Sequence, residues 1–243
     1  MKFTDLHLCA PSDNLEQARR LISKSAELGY SQVGVPLMPN VREEAVDQLR
    51  QITAEAGLDF VTRLDLAPRS SGELLAGLRR FRRRFEVVSV LCISKSVARQ
   101  AAKDRRVDLL CFRSFDSSKR FFDRAEAELA SASSAAFEID LAWLLSSLES
   151  RSGVSVFSRL RREVATASGF DVPLVISSGA SEPLLLRKPR DFAALTLLFG
   201  LDESRAKEAV SVNPSAVVER SRRKQSADYV SPGVRLVERR RSD

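Results

Sequence analysis

Short apolar runs rich in Val, Ile, Leu and Phe return along this chain at near-regular intervals, at 3–8, 32–36, 59–64, 86–93, 107–112, 136–141 and 173–177. Between them lie longer stretches whose apolar residues recur every third or fourth position, the period of an amphipathic helix. The first four runs start roughly 27 residues apart, about the length of one right-handed βα unit, and units of that kind lay their strands parallel. A helical stretch at 13–28 has Ser12 or Asp13 to cap it and Gly29 to end it in the left-handed conformation, and one at 41–56 stops likewise at Gly57. Others are expected at 73–81, 97–102, 117–129, 157–168, 191–198 and 202–210. Seven clear strands and a weak eighth at 210–212, with no composition break between them, predict a single closed β/α barrel over residues 1–218. A doubly wound open sheet is the competing architecture, but no GxGxxG follows the first strand. After about Val218 the pattern stops. Residues 219–243 read as a polar, Arg-rich tail ordered by a partner, in which YVSPGVRLV can pair as an edge strand.

Composition narrows the chemistry. With 39 Lys and Arg against 32 Asp and Glu, the net charge of +7 favours a polyanionic partner. A solitary His excludes zinc sites built on several imidazoles and forces any Ser-His-Asp triad to use His7. Cys9, Cys92 and Cys111 lie far apart, each inside an apolar run, and read as small buried hydrophobes in a reducing cytosol. No stretch approaches the roughly 20 apolar residues of a membrane span. A cytoplasmic protein is expected.

Cations cluster in two kinds of place. RRFRRR at 79–84 closes a helix at the end of a barrel opposite the usual active site, where guanidiniums complement the helix dipole on a solvated face or, if they bind RNA, form a secondary contact. The second group lies at or just after strand C-termini: Arg63, Lys95, Arg113 with Lys119 and Arg120, and Arg187, Lys188 and Arg190. Fewer carboxylates accompany them, namely Asp5, Asp65, Asp116 and Asp140. Such a rim suits a phosphate backbone, because each guanidinium can grip a phosphate through two N–H groups. In VISSGASEP, the backbone N–H groups of residues 177–180 have the makings of an anion nest after the seventh strand, as in phosphate-binding barrels. The opening DLHLC places His7 at the end of the first strand, where a metal site could start. Cys9 stands two residues on, and no second imidazole exists, so His7 reads as a packed, hydrogen-bonded residue and no metal site is expected.

DLHLC, RLDL at 63–66, VVSVL at 87–91, VDLLCF at 107–112 and above all VISSGASEPLLLRKPRDFAALTLLFGLDESRAKEAVSVNP at 175–214 resemble the archaeal ribonuclease P protein component 3 family, counterpart of the 30 kDa protein subunit of the eukaryotic enzyme. The resemblance implies a TIM-barrel-like fold, distantly similar to metal-dependent phosphoesterase barrels but without their metal site. It implies a noncatalytic RNA-binding subunit of a ribonucleoprotein that removes the 5′ leader of precursor tRNA. By the same resemblance the RNA subunit is expected to carry out the Mg²⁺-dependent hydrolysis, and the chain itself to bind no cofactor. Implied partners are the ribonuclease P RNA, precursor tRNA through the complex, a small α/β protein subunit and other ribonuclease P proteins. Arg187 and Arg190 in LRKPRD carry over as RNA contacts, with Arg63 and Arg113 as further candidates and Lys95, Lys119, Arg120, Arg124 and Lys188 beside them. Two places depart from the family: Arg124 stands where relatives have a histidine opening the fifth helix, and Asp140 in FEIDLAWLL lies where they have Arg-Pro. The competing functional reading, from the 177–180 loop and the strand-end arginines, is a barrel enzyme acting on a small phosphorylated substrate.

Overall fold

A computed structural model describes residues 2–114, 116–149, 153–226, 229–231 and 234–235. Strands and helices alternate: β1 Thr4–Asp5, α1 Leu15–Glu27, β2 Gln32–Pro36, α2 Glu43–Glu55, β3 Asp59–Leu66, α3 Ser71–Phe81, β4 Val87–Leu91, α4 Lys95–Lys103, β5 Leu109–Cys111, α5 Arg124–Ser133 and β6 Ala136–Asp140. Two helices follow, α6 Leu141–Leu148 and α7 Gly153–Gly169, then β7 Leu174–Ser177, α8 Pro189–Thr196, α9 Glu203–Glu208 and α10 Val212–Gln225. β8 Tyr229–Ser231 and β9 Val234–Arg235 form an antiparallel pair of their own, so the described residues of YVSPGVRLV pair with each other in a sheet separate from the barrel's.

Among the described residues, β1 to β7 pair in chain order, all parallel. Closure takes seven strands. At the C-terminal ends, the extension of β1 meets that of β7 directly: Leu8 bridges Ala180, Cys9 N–H donates to the Ala180 carbonyl, and Gly179 N–H donates to the His7 carbonyl. At the other end the gap is filled by the segment expected to be an eighth strand. The Ala209 carbonyl, just before that segment, accepts from Ile176 N–H at 2.9 Å and the Val210 carbonyl within it from Thr4 N–H at 3.0 Å, and then the chain turns into α10. This stretch satisfies both neighbours without becoming a strand.

Helix ends follow local chemistry with small shifts. Asn14, not Ser12 or Asp13, caps α1, its side chain accepting from Gln17 N–H at 3.1 Å. Ser70, Ser94, Asp123 and Asp202 cap α3, α4, α5 and α9 in the same way. Gly29 and Gly57 have φ of +94° and +74°, as the helix stops require. The stretch 117–129 is not one helix: a 3-10 turn at Ser117–Lys119 and an extended segment precede α5. Phe122 pins that segment by stacking on Phe137 of β6, with ring centroids 4.5 Å apart.

Side chains alternate along each strand, so the inward set is graded from floor to mouth. Leu6, Val61, Val87, Leu109, Ala136 and Val175 form the lowest layer, and α10 covers it with Val217 and Val218. The next inward positions, Arg63, Ser89 and Ser177 with Glu138, are polar, and all are buried. The expected end of the domain at Val218 therefore falls inside α10, which is the floor of the barrel. Ser221 Oγ donates to the Glu86 carbonyl, Gln225 to the Phe85 carbonyl, and Arg222 pairs with both Asp59 and Glu86. The rest of the expected tail, beyond the short β8–β9 pair, lies outside the described residues. Among the described residues no helix is long and apolar enough to cross a membrane.

Candidate nucleic-acid interface

An arginine in the middle of a buried strand must find a carboxylate, because burying an unpaired charge is far costlier than any packing gain. Arg63 on β3 is fully buried. Its two terminal nitrogens grip Glu138 on β6, the Nη2–Oε2 distance being 2.8 Å, while Nε donates to Asp65 at 2.7 Å and Nη1 to the Leu6 carbonyl at 2.9 Å. Ser89 and Ser177 donate to the remaining lone pairs of Glu138 at 3.1 and 2.7 Å. Every polar atom of this cross-barrel pair is used. Arg63 is thus a lumen tie and not an RNA contact.

One layer higher, His7 Nδ1 lies 2.6 Å from Asp140 Oδ2, and Nε2 lies 3.2 Å from Asp65 Oδ2. Burial and Arg63 oppose a charge on the ring, but the hydrogen bonds to Asp140 and Asp65 prevail and raise its pKa well above the ordinary value. Against their own burial, Asp140 is lowered chiefly by its bond to His7, and Asp65 by the charge of Arg63 and then by His7. Arg113, about a quarter exposed, closes the cluster by donating to Asp140 Oδ2 at 3.0 Å. Asp5 accepts from the backbone N–H groups of His7 and Ser178, and burial raises its pKa. His7 is the packed, hydrogen-bonded residue expected. Asp65, Glu138 and Asp140 are held by the chain's own guanidiniums and imidazole, a donor set that does not fit a divalent ion, since a metal would have to displace Arg63 and Arg113. Among the described residues no group of three or more His, Cys, Asp or Glu has metal-holding geometry. Cys92 and Cys111 are buried, and burial pushes the Cys111 thiol up to about 12, while Cys9 is half-buried beside His7.

The loop after β7 is no open anion nest. Ser178 N–H donates to Asp5, Gly179 N–H to the His7 carbonyl and Ala180 N–H to Ser178 Oγ. Gly179 sits at φ +62°, and a Cβ there would lie 2.4 Å from Asp140 Oδ1. Glycine is required because the loop closes over internal carboxylates. With its amides spent, the small-phosphate reading loses its anchor.

The nine candidate RNA contacts sort by exposure. Arg63 and Arg120 are buried; Arg120 pairs with Glu163 of α7 at 3.0 Å, donates to the Phe112 carbonyl and lies 5.2 Å over the Trp143 ring, so it fastens the 112–123 loop to α7. Arg113 belongs to the mouth cluster. Arg124 is exposed, pairs with Glu128 at 3.0 Å and lies over the Phe170 ring. Lys95 opens α4 in solvent, and Lys119 is exposed with Asp116 3.8 Å away, a separation worth little at a wet surface. Arg187, Lys188 and Arg190 are exposed at the start of α8; Arg187 spends one nitrogen on the Leu184 and Leu186 carbonyls. The rim therefore presents two separate cationic sectors, after β4 and β5 and after β7, around a mouth neutralised internally. Sequence reasoning missed Glu138 and Glu163 as partners. The available signal was a carboxylate inside an apolar run, as in AFEID, facing an arginine inside another, as in FVTRL.

A sequence model of the family described as RNase P subunit p30 matches residues 2–226. Ribonuclease P protein component 3 of Methanosarcina mazei is 28% identical over 98% of this chain and 96% of its own length. Ribonuclease P protein subunit p30 of mouse is 28% identical over 88% of this chain and 84% of its own length. Among solved structures, a chain in a cryo-EM structure of archaeal ribonuclease P with mature tRNA superposes with a TM-score of 0.80, at 18% identity, over 98% of this chain and all of that one. A proposed prolidase from Bifidobacterium longum shares the barrel more distantly, with a TM-score of 0.53 and 10% identity over 90% of this chain and 70% of that one.

Proposed function

The chain belongs to the RNase P subunit p30 family, and from that premise we propose that it is an RNA-binding protein subunit of ribonuclease P, the ribonucleoprotein endonuclease that removes the 5′ leader of precursor tRNA. The observation that carries this reading is a family match running from residue 2 to residue 226, the whole barrel with its floor helix. The geometry supports it independently. His7, Asp65, Glu138 and Asp140 at the mouth are locked in internal pairs, whereas Lys95, Lys119, Arg187, Lys188 and Arg190 face solvent. Exposed cations on a rigid barrel neutralise phosphates and read RNA through its backbone and shape more than through its sequence.

In this reading the RNA subunit performs the Mg²⁺-dependent hydrolysis, and the chain acts in the cytoplasm beside a small α/β protein subunit. Its contribution is electrostatic and positional: lowering phosphate repulsion where RNA helices pack. The test is precursor-tRNA cleavage by reconstituted particles with and without this chain, across a Mg²⁺ titration. The chain is expected to raise the rate and to lower the Mg²⁺ needed. Equal activity at every Mg²⁺ concentration would overturn the assignment.

A further inference from the structure

Four acidic residues at the floor of the barrel, Asp59, Glu86, Asp104 and Asp108, are used in holding the floor together. Asp108, fully buried, takes Arg82 at 3.1 Å and Arg220 at 3.4 Å. Asp59 and Glu86 both take Arg222, and Asp104 takes Arg106. Arg82 also donates to Ser221 of α10, and Lys224 Nζ donates to the Arg105 carbonyl at 2.9 Å, so these bonds join the C-terminal ends of α3, α4 and α10 in one place.

Around the anchoring residues stand their neighbours in sequence, Arg79, Arg80, Arg83, Lys103, Arg105 and Arg223. All six are exposed. Among the described residues, none has a carboxylate within 4 Å, and Glu219, one turn before Arg223, makes no ion pair. Lys224, beside them, has its pKa lowered chiefly by burial, with Asp108 opposing and Arg220, Arg82 and Arg105 adding to the shift. Helix dipoles favour a cation or two in a last turn. They do not account for six without a carboxylate partner converging from three helices and repelling one another, although Arg80 also lies 5.1 Å over the Phe81 ring.

We propose that this floor is a second RNA-binding surface, facing away from the strand-end rim and gripping phosphates of a different RNA segment. The proposal rests on the reading of the chain as a ribonuclease P subunit. Five of the six free cations are arginines, suited to bidentate phosphate binding and less strongly hydrated than lysine. A membrane would need apolar side chains to insert beside the charge. The exposed large hydrophobics of the described residues include none in the last turns of α3, α4 or α10. Floor and rim lie at opposite ends of the strands, about 25 Å apart if the eight residues of β3 rise about 3.3 Å each. That span approaches the width of an RNA duplex, so one phosphate run cannot easily serve both ends. Two contacts on one rigid barrel tie two RNA segments together at high effective concentration.

The full chain with Arg79, Arg80, Arg83, Arg105 and Arg223 all changed to Gln tests this, next to Arg187→Ala with Arg190→Ala at the rim. None of these side chains is buried, and unfolding curves superposing on the parent would show that the fold is kept. Binding to the ribonuclease P RNA is measured from about 50 to 500 mM KCl, with hydroxyl-radical footprints. The floor variant should bind more than tenfold weaker at low salt, lose about three units or more of the log–log salt slope, and lose protection of an RNA segment that the rim variant still protects. Parent-like affinity and slope in the floor variant, with the rim variant impaired, would overturn the floor proposal while leaving the ribonuclease P reading standing. No binding of RNA by the parent chain would overturn both. Binding of the parent, but not the floor variant, to phosphatidylserine vesicles, with RNA binding equal in the two, would assign the floor to a lipid surface instead.

Discussion

Arg63 and Glu138 show how one buried pair can exclude both a metal and an RNA contact. Breaking the pair from one side leaves the other charge stranded, at a cost of about 3–5 kcal/mol, whereas replacing both by apolar side chains of similar volume is nearly neutral. Arg63→Met should therefore lower the unfolding free energy in urea by about that amount, and Arg63→Met with Glu138→Leu should recover most of it. If the double variant were no more stable than the single one, the pair would not be the tie described here. His7 makes a second prediction at this scale. Its folded pKa is raised by Asp140 and Asp65, so its contribution is fully present below the unfolded value of about 6.5 and is lost as pH rises through the folded value. The stability gap between the parent and His7→Gln should accordingly be widest near pH 6 and narrow progressively in alkaline buffer. The lowered carboxylates Asp65 and Asp140 work in the opposite sense. Their contribution is present above about pH 4 and lost as pH falls through their folded values. A gap that widened with pH would show that His7 is not held as a cation.

Elements were legible where local chemistry repeats. The 3.6-residue period and the glycines at 29 and 57 mark α1 and α2 to within a few residues, because one helix face and one left-handed stop are encoded nearby in sequence. α10 was missed for a physical reason. After Val218 the only buried residue of α10 is Ser221, and Arg222 and Gln225 reach the strand starts through hydrogen bonds, so a helix that closes the barrel reads as a polar tail. The weak eighth strand failed for a related reason: two carbonyls, of Ala209 and Val210, suffice to satisfy β7 and β1. A chain ending at Val218 should unfold at lower urea than one ending at Ser226, by about 2–4 kcal/mol for the missing bonds of Ser221, Arg222 and Gln225. Coincident unfolding curves would refute the role given to α10 as the floor.

Charge acts at the scale of the whole molecule. The excess of +7 is not spread evenly, because Glu138, Asp108, Asp140 and Glu163 are spent in buried pairs while cations without a carboxylate partner remain exposed at the rim and on the floor. Arg187→Ala with Arg190→Ala should weaken binding to the RNA and reduce its salt slope by about one unit for each phosphate no longer neutralised. A slope equal to the parent's would remove these two residues from the interface. The sequence by itself determined the parallel β/α order, the family resemblance and the solitary His, since these depend on periodicity, motif spacing and composition, which are properties of the chain read along its length. Which arginines are free was decided only by the tertiary structure. Arg63 and Arg190 are alike as letters at or near a strand's end, but one points into the lumen at Glu138 and the other into solvent at the head of α8. Partners 75 residues apart, as Arg63 and Glu138 are, meet only when the barrel closes, and closure alone determines where the remaining positive charge can act.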